Sequence, residues 1–374
     1  MAGTIRKRTW ITGKGEAKTA WVADYFDQHR KRHKKQFPTR RGADQWLLRA
    51  RGEVRDGVHT PDNVSITVGE AADLWLQRAA ANGLDRGSQR TYQQMARLAI
   101  VPLLGEVRLS RLTRAMVETF RDELLDKFAY ARARQALAAL RSVVDHAQGR
   151  GLVAQNVARG VRIQPRARLQ EQLIVGRTIP APNEVRQLLA AADGWLRVMI
   201  TTAAFTGMRA GELRGLWWED VDLTAGAERV VVRQCADQWG ELGRPKSKAG
   251  QRTIALASSL ATELRPWRFL CGHPVNVFPG QAGQVISQSA VTRAFAQLQI
   301  ETGLTVAGKP KYTFHALRHF FASVMIGLGY TSKWLQVTMG HENIVLTLGT
   351  YGHLFPDSDG ERTRMAAFEA VVLG

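Results

Sequence analysis

The sequence has few cysteines, no long apolar run and a shortage of acidic side chains. Its two cysteines are Cys235 and Cys271, and apart from His273 no Cys or His stands beside them at zinc-ligand spacing, so we expect two small buried side chains in a reduced cytosol. No segment approaches the roughly 18 uninterrupted apolar residues of a membrane-spanning helix, and the first ten residues lack the apolar stretch of a signal peptide. The sequence therefore predicts a soluble cytoplasmic protein.

Because acidic residues are few, the chain is strongly basic. Lys and Arg number 52 against 33 Asp and Glu, which gives a formal charge of +19 and favours a polyanionic partner, nucleic acid first and a membrane surface second. The charge is localised, since residues 1–60 carry 15 basic and 6 acidic side chains. With 374 residues, 45% of them hydrophobic, the chain is expected to fold into two or three domains.

The basic N-terminal segment has the pattern of a small sheet followed by a helix. β-Branched and aromatic residues alternate with polar ones, which predicts strands at Ile5–Ile11, Thr19–Asp27 and Arg32–Phe37 and a helix at Arg41–Arg55. A run of cations at the second turn and third strand can grip phosphates, although such a run is often only a solvated surface. The candidate DNA-binding residues are Arg30, Lys31, Arg32, Lys34 and Lys35.

The remainder of the chain divides into a helical part and a mixed part. Thr67 and Glu70 have the spacing of a capping box, and four apolar faces of helical period follow. Later segments alternate helix and strand signals, and the acidic residues Glu219, Asp220 and Asp222 are expected in a loop before a strand at Arg229. We therefore predict domains at 1–62, 63–165 and 179–374, joined by a basic linker at 166–178.

Four separated segments carry residue types that suit the binding of one phosphate. Arg209 opens a predicted helix, where its guanidinium can donate two hydrogen bonds to phosphate oxygens while the helix N-terminus adds partial positive charge. His315 and Arg318 lie three apart on one helix face and can converge on the same group. In chain order the segments are 206–213 with Arg209, 245–250 with Lys248, 315–319 with His315 and Arg318, and 339–353 with His341 and Tyr351.

This ordered set of Arg, Lys, His-x-x-Arg, Gly-His and Tyr resembles the active-site signature of the tyrosine recombinases, the lambda-integrase-like family. The pieces A-x-x-T-G-x-R-x-x-E-L, H-x-L-R-H, G-H and T-x-x-Y are present in family order, and the resemblance covers about residues 65–360. It implies a multidomain, mainly α fold with small β-sheets: a helical SAM-like core-binding domain and an α+β catalytic domain that clamp DNA between them. The first 62 residues resemble, more weakly, the three-stranded arm-type DNA-binding domains of integrases.

The resemblance implies a reaction and a role for each motif residue. Tyr351 is expected to attack a DNA phosphodiester and form a 3′-phosphotyrosine, with Lys248 as the general acid for the leaving 5′ oxygen. A phenol with a pKa near 10 is ionised in only about one molecule in a thousand at pH 7, so neighbours must activate it. Arg209 and Arg318 are expected to neutralise the phosphate, and His315 and His341 to donate hydrogen bonds or move the phenol proton. Glu212 is expected to support the site by orienting Arg209 or capping the helix, and Lys246 is an alternative to Lys248 as the general acid.

Other interpretations of the same residues stay open. His315 and His319 have the spacing of a metal pair, but Ala316 stands where a zinc protease has its glutamate. The acidic residues near position 220 could form a two-metal centre, although a loop is the simpler interpretation. A chromosome-dimer resolvase of the Xer type, a type IB topoisomerase and a DNA-binding protein without catalysis are the alternative functions.

The resemblance also implies partners and an assembly. It predicts a phage or mobile-element integrase of the bacterial nucleoid that acts on double-stranded DNA attachment sites as a homotetramer, without metal, cofactor or ATP, and with an excisionase and a DNA-bending host protein as candidate accessory partners. Residues 361–374 place apolar side chains on one helical stripe, which can pack on its own domain or on a neighbouring protomer.

Overall fold

The computed structural model of the protein describes residues 3–13, 15–62, 65–164, 173–245, 247–355 and 368–369. The chain divides into two compact units, Met1–Arg166 and Ala167–Gly374. The architecture is multidomain and mainly helical with small antiparallel sheets, as the sequence predicts. The finer division of the first unit at residue 62 stays a prediction. The described residues include no helix that is long and apolar enough to cross a membrane.

The first unit begins with a three-stranded antiparallel sheet of order β1-β2-β3, covered by one helix. The three predicted strands and the helix are confirmed to within two residues at each end. Thr39 begins the helix because its side chain accepts a hydrogen bond from the Gly42 backbone N–H. The elements are β1 (Thr4–Ile11), β2 (Ala17–Phe26), β3 (Arg32–Phe37) and α1 (Arg40–Arg55).

The two faces of this sheet differ in chemistry. Residues that stand opposite each other in an antiparallel pair point to the same face. Tyr25 and Phe37 lie on the face covered by α1, with ring centres 5.1 and 5.5 Å from that of Trp46. The opposite face carries exposed basic side chains, and we call it the cation face. Its members are Arg6, Arg8, Lys18, Arg32 and Lys34.

The rest of the first unit is helical. The predicted capping box is confirmed, since Thr67 Oγ1 accepts from the Glu70 backbone N–H and Glu70 Oε2 accepts from the Thr67 backbone N–H. Phe120 and Leu140 lie in a continuous apolar core and are almost completely buried. The helices are α2 (Val68–Ala81), α3 (Arg86–Met95), α4 (Val101–Leu104), α5 (Arg114–Lys127) and α6 (Tyr130–Gly149), with a π-helical turn at Ala96–Ile100 and a 3-10 turn at Leu109–Arg111.

The second unit is an α+β domain whose helices α8 and α12 pack on each other at its centre. The chain order is α7 (Pro182–Ala191), α8 (Gly194–Thr206), α9 (Ala210–Arg214), β4 (Val221–Asp222), β5 (Arg229–Val232), β6 (Cys235–Ala236), β7 (Leu242–Gly243), β8 (Arg252–Ala255), α10 (Ser258–Leu270), α11 (Gln288–Glu301), β9 (Thr305–Val306), β10 (Lys309–Pro310), α12 (Ala316–Gly327), α13 (Ser332–Met339) and α14 (Ile344–Tyr351). Strands β4, β5 and β8 form one sheet, and β6-β7 and β9-β10 are short hairpins.

Two local expectations about this unit were wrong. The acidic segment is not a plain loop: a 3-10 turn at Trp218–Asp220 leads into β4, which pairs with β5, and a two-residue strand is too short to leave a periodic pattern. Cys235 and Cys271 are thiols that are partly exposed rather than buried, because one lies in the β6-β7 hairpin and the other follows the last residue of α10. The predicted apolar stripe at 361–374 lies outside the described residues except for Phe368 and Glu369.

Candidate active site

Gly207 places the first arginine of the site. Helix α8 ends at Gly207, whose φ of +64° is left-handed, and a Cβ there would stand 2.5 Å from the ring of Phe321. The chain then turns into α9, with Arg209 as its N-cap residue. The side chain of Arg209 is 40% exposed, so its guanidinium can reach a ligand while one nitrogen stays paired with Glu212.

Glu212 holds two arginines at once. Its Oε1 accepts from Arg209 Nη1 at 2.8 Å and its Oε2 accepts from the Arg209 backbone N–H at 2.9 Å. The same carboxylate accepts two hydrogen bonds from Arg252, at 3.1 and 2.9 Å, and both side chains of this second pair are 3% exposed. Although burial alone would raise the pKa of Glu212, the hydrogen bonds and charges of Arg252 and Arg209 hold it below its ordinary value, so the carboxylate stays ionised.

Arg252 connects the pieces of the site and was missed by the sequence analysis. Besides Glu212, it donates to the carbonyl of Gly250 at 2.9 Å and to that of Thr338 at 2.6 Å. The first carbonyl lies in the turn that carries Lys248, and the second lies just before Gly340 and His341. The available signal was the strand pattern, because Arg252 and Ile254 alternate as the buried residues of β8.

Arg318 lies in the wall of the site and is 2% exposed. It donates to the carbonyls of Gly207 at 2.6 Å and Met339 at 2.5 Å, and its Nη2 is 3.1 Å from His341 Nε2. Burial lowers the pKa of Arg318 to about 9, and the positive charge of Arg209 adds to this effect. The site thus places the guanidiniums of Arg209, Arg252 and Arg318 near the single carboxylate of Glu212, which leaves a local excess of positive charge suited to an anion.

The two histidines predicted for the phosphate occupy different environments. His341 is engaged on both sides, since its Nδ1 is 2.8 Å from Thr347 Oγ1 and its Nε2 faces Arg318. Burial, followed by the charge of Arg318, lowers the pKa of His341 to about 4. His315 is exposed at the start of α12, and desolvation together with the charges of Arg318 and Arg209 lowers its pKa. Both rings are therefore neutral at pH 7 in the free protein.

Tyr351 is the last residue of α14 and is 1% exposed. Its ring lies in an apolar cluster with Phe321, Leu335 and Met339. Burial raises the pKa of Tyr351 to about 12, although the charges of Arg318 and Arg209 oppose the rise. The structure therefore places the predicted nucleophile beside both arginines, with its proton firmly held.

The hydroxyl of Tyr351 contacts a residue that the sequence analysis considered only as a metal ligand. His319 Nδ1 lies 2.8 Å from Tyr351 Oη, and the two ring centres are 5.6 Å apart. Burial, then the charges of His315 and Arg318, lower the pKa of His319 to about 4. The spacing could have shown this, because His315 and His319 are i and i+4 on one helix, and their ring centres are 4.9 Å apart.

Lys248 is exposed in a 3-10 turn at Lys248–Gly250, and the described residues provide no hydrogen bond or ion pair to its ammonium group. Lys246 lies outside the described residues, so the choice between the two lysines stays open. The predicted site residues that the structure brings together are Arg209, Glu212, His315, Arg318, His341 and Tyr351.

Two of the three acidic residues near position 220 pair with arginines. Asp220 Oδ1 is 3.0 Å from Arg233 Nε, and Asp222 Oδ2 is 3.1 Å from Arg229 Nη2. Within the part of the chain that the structure describes, no group of three or more His, Cys, Asp or Glu side chains could hold a metal ion.

The structure separates the predicted N-terminal DNA contacts. Arg32 and Lys34 belong to the cation face, and Arg32 is held there by two hydrogen bonds to Asp24, at 2.8 and 2.6 Å. Lys35 points to the α1 side, where its ammonium group is 2.7 Å from Asp62 and 4.7 Å from the centre of the Trp46 ring. Arg30 and Lys31 lie at the β2-β3 turn.

Comparison with known proteins agrees with this geometry. The phage integrase family model matches residues 181–357. The chain is 25% identical to an integrase of Mycobacterium phage D29 over 356 residues, which cover 90% of this chain and 91% of that protein. It is 30% identical to the tyrosine recombinase XerC of Xanthomonas axonopodis pv. citri over 227 residues, which cover 59% of this chain and 67% of XerC.

Solved structures share the fold. An integrase of the Tn1549 transposon in complex with a circular intermediate DNA matches with a TM-score of 0.67 and 18% identity, covering 81% of this chain and 100% of that one. A lambda integrase tetramer bound to a Holliday junction matches with a TM-score of 0.61 and 20% identity, covering 90% and 95%. The protein belongs to the phage integrase family of tyrosine recombinases and is a site-specific DNA recombinase.

Proposed function

We propose that this recombinase cuts and rejoins DNA through a covalent bond between Tyr351 and a 3′ phosphate, and that it integrates and excises a phage or mobile element. The observation that carries the proposal is the convergence of Tyr351, Arg318 and Arg209 at one positively charged position, to which Arg209 contributes a side chain that is 40% exposed. A phosphodiester is the DNA group that matches this charge. The phenol is the nucleophile available beside it.

The arginines bind the scissile phosphate and stabilise the charge that develops on it. Arg209 is exposed enough to donate directly, while Arg318 acts from the wall, fixed by two main-chain carbonyls. A bound phosphate supplies the negative charge that this arginine-rich site lacks, so the pKa of Arg318 rises toward its ordinary value when DNA is present. Fixed donors of this kind need no reorganisation when the pentavalent transition state forms.

Lys248 protonates the leaving 5′ oxygen in this proposal. Its turn is joined to the rest of the site through the hydrogen bond from Arg252 to the Gly250 carbonyl. Because the new phosphotyrosine bond resembles the diester that it replaces, a 5′ hydroxyl of another duplex can reverse the step without ATP. His315 donates a hydrogen bond to the same phosphate. His341, held by Thr347, accepts a hydrogen bond from Arg318 and so fixes that guanidinium beside the phosphate.

Double-stranded DNA attachment sites are the proposed partner, and the active assembly is a homotetramer on two duplexes. The lambda integrase structure on a Holliday junction, a tetramer of the same fold, supports this assembly. The cation face supports a second DNA contact at the N-terminus, because exposed Arg and Lys side chains lie together on one side of a sheet. An excisionase and a DNA-bending host protein are the proposed accessory partners.

An integrase rather than an Xer-type resolvase is favoured by the basic three-stranded sheet and helix at residues 4–55, which resemble the arm-type DNA-binding domains of integrases. A type IB topoisomerase would use the same chemistry without a partner duplex. Recombination between two differently marked duplexes separates a recombinase from a topoisomerase, and the sequence of the DNA that flanks the gene can show an attachment site.

Covalent trapping tests the proposed chemistry. The protein is incubated in EDTA with nicked duplexes that lose the short 5′ fragment after cleavage, and the adduct is resolved on a denaturing gel. We expect a metal-independent adduct with the wild-type protein and none with Tyr351→Phe. Absence of an adduct with the wild-type protein on a cognate site would refute the catalytic function, and an adduct with Tyr351→Phe would refute the nucleophile.

A further inference from the structure

Among the described residues, His319 is the histidine whose imidazole lies within hydrogen-bond distance of the Tyr351 hydroxyl. The contact joins Oη to Nδ1 at 2.8 Å, and both side chains are held in place, with Tyr351 buried and His319 on the central helix α12. A proton acceptor for a phenol must stand within hydrogen-bond reach of its oxygen. His319 meets this requirement in the described structure.

His341 is a poorer acceptor because both of its ring nitrogens are already used. Arg318 is always a donor, so the His341 Nε2 that faces it must be the unprotonated nitrogen. The proton therefore resides on His341 Nδ1, which donates to Thr347 Oγ1. Taking a second proton on Nε2 would replace the hydrogen bond from Arg318 with repulsion between two cations.

His315 is a better candidate for the phosphate than for the phenol. It is exposed at the N-cap of α12, and its ring forms no hydrogen bond with another described residue. Its ring stands edge-on to that of His319, with centres 4.9 Å apart. This arrangement leaves the ring of His315 free to donate to DNA while His319 remains on the hydroxyl of Tyr351.

We propose that His319 is the general base that takes the proton of Tyr351 during strand cleavage and returns it during ligation, an assignment that rests on the proposed function of Tyr351 as nucleophile. In cleavage, the Oη–H bond breaks and the proton passes to His319 Nδ1. The bond from Oη to phosphorus forms, and the bond from phosphorus to the 5′ oxygen breaks. That oxygen receives a proton from Lys248. Ligation reverses each transfer, so no proton is gained or lost overall.

The surroundings of His319 link this transfer to DNA binding. The groups that face its ring are His315 and Arg318 on α12 and Tyr351 on α14. In the free protein the pKa of Tyr351 is about 12 and that of His319 about 4, so the proton stays on the phenol and the nucleophile is inactive. A phosphate beside Arg318 adds negative charge, which favours a protonated imidazole at position 319.

Substitutions at position 319 distinguish a base from a residue that only orients the phenol. Single-turnover adduct formation is measured at saturating protein with His319→Ala, His319→Asn and the wild type. Asparagine can place its amide oxygen near the position of Nδ1 and accept the hydrogen bond, but it cannot accept the proton. His353→Asn is the matched control, because His353 is a nearby histidine that bonds only the Leu173 carbonyl in the described structure.

We expect His319→Ala and His319→Asn to react at least 100-fold more slowly than the wild type at pH 7, and added imidazole to accelerate His319→Ala. A rate above one tenth of the wild-type rate for either variant overturns the proposal. If the wild-type protein forms no adduct on a cognate site, the proposed function fails instead, so the two failures are distinguishable.

A substrate with a 5′-bridging sulfur at the scissile position separates the base from the acid. Sulfur leaves without a proton, so this substrate should restore cleavage by Lys248→Ala and leave His319→Asn slow. Restoration of His319→Asn to the wild-type rate would show that His319 serves the leaving group, which contradicts the proposal.

Discussion

Replacing Glu212 with glutamine tests whether the buried carboxylate holds the site together. Glu212→Gln keeps the shape but leaves Arg252, 3% exposed, without a counter-ion. Breaking a buried ion pair by removing one partner typically costs about 3–5 kcal/mol. For a unit the size of the second one, this corresponds to a fall of about 6–20 °C in Tm, since each kcal/mol shifts the Tm of such a domain by about 2–4 °C.

Thermal and urea denaturation of the full chain measure this loss. Asp222→Asn is the control, because Asp222 pairs with Arg229 at the surface, and an exposed pair contributes no more than about 1 kcal/mol. The double variant Glu212→Gln with Arg252→Met removes the unpaired charge and should be more stable than Glu212→Gln alone. If Glu212→Gln is no less stable than Asp222→Asn, the inference that this carboxylate organises the arginines is wrong.

The same pair predicts a pH dependence. The pKa of Glu212 is lowered in the folded protein, so its contribution to stability is fully present above its ordinary value of 4.5 and is lost as the pH falls through the lower folded pKa. The stability difference between the wild type and Glu212→Gln should therefore be constant near neutral pH and shrink below pH 4.5. A difference that grows in acid would contradict the assigned direction.

Three further predictions concern single side chains. Arg318→Lys should slow adduct formation at least 100-fold, because an ammonium group cannot span the two carbonyls that Arg318 joins; a rate within threefold of the wild type would refute this role. Gly207→Ala should destabilise the protein by more than Gly226→Ala in urea denaturation, since both glycines have positive φ but only the first would press a Cβ against a ring; equal losses would contradict the steric argument. Arg8→Gln should weaken binding to non-specific DNA and reduce the slope of log K against log salt concentration by about one phosphate contact. Lys35→Gln should leave this slope unchanged. The opposite result would show that the DNA contacts the α1 side of the sheet rather than the cation face.

Local patterns predicted the elements of this fold well. The three N-terminal strands, the helix after them and the capping box at Thr67 follow from alternation and from side chains that bond their own backbone, which are properties of neighbouring residues. The short strand at Val221 was missed, because its pairing with β5 depends on residues that follow it in the chain.

The active-site motifs were predictable and their contacts were not. The order of Arg209, His315, Arg318, His341 and Tyr351 along the chain is enough to indicate a phosphate site. The position of the phenol hydroxyl depends on how α14 packs against α12. This packing brings the hydroxyl within hydrogen-bond distance of His319 rather than of the two histidines that the motif suggested.

The contacts of Arg252 could not be predicted for the same reason. The sequence shows it only as a charged residue in a strand, and its position between Glu212 and two carbonyls depends on tertiary packing. The N-terminal cation run looked like one surface, but strand alternation sends Arg32 and Lys35 to opposite faces of the sheet.

Identifying the amino-acid residue that is covalently bonded to the trapped DNA tests the central claim most directly. Tryptic cleavage after Lys333 and Arg362 gives peptide 334–362, in which Tyr351 is the one tyrosine. After nuclease trimming of the trapped DNA, mass spectrometry should find a nucleotide phosphate on this peptide, bonded to the Tyr351 oxygen. A nucleotide on any other residue of the wild-type protein would contradict the account.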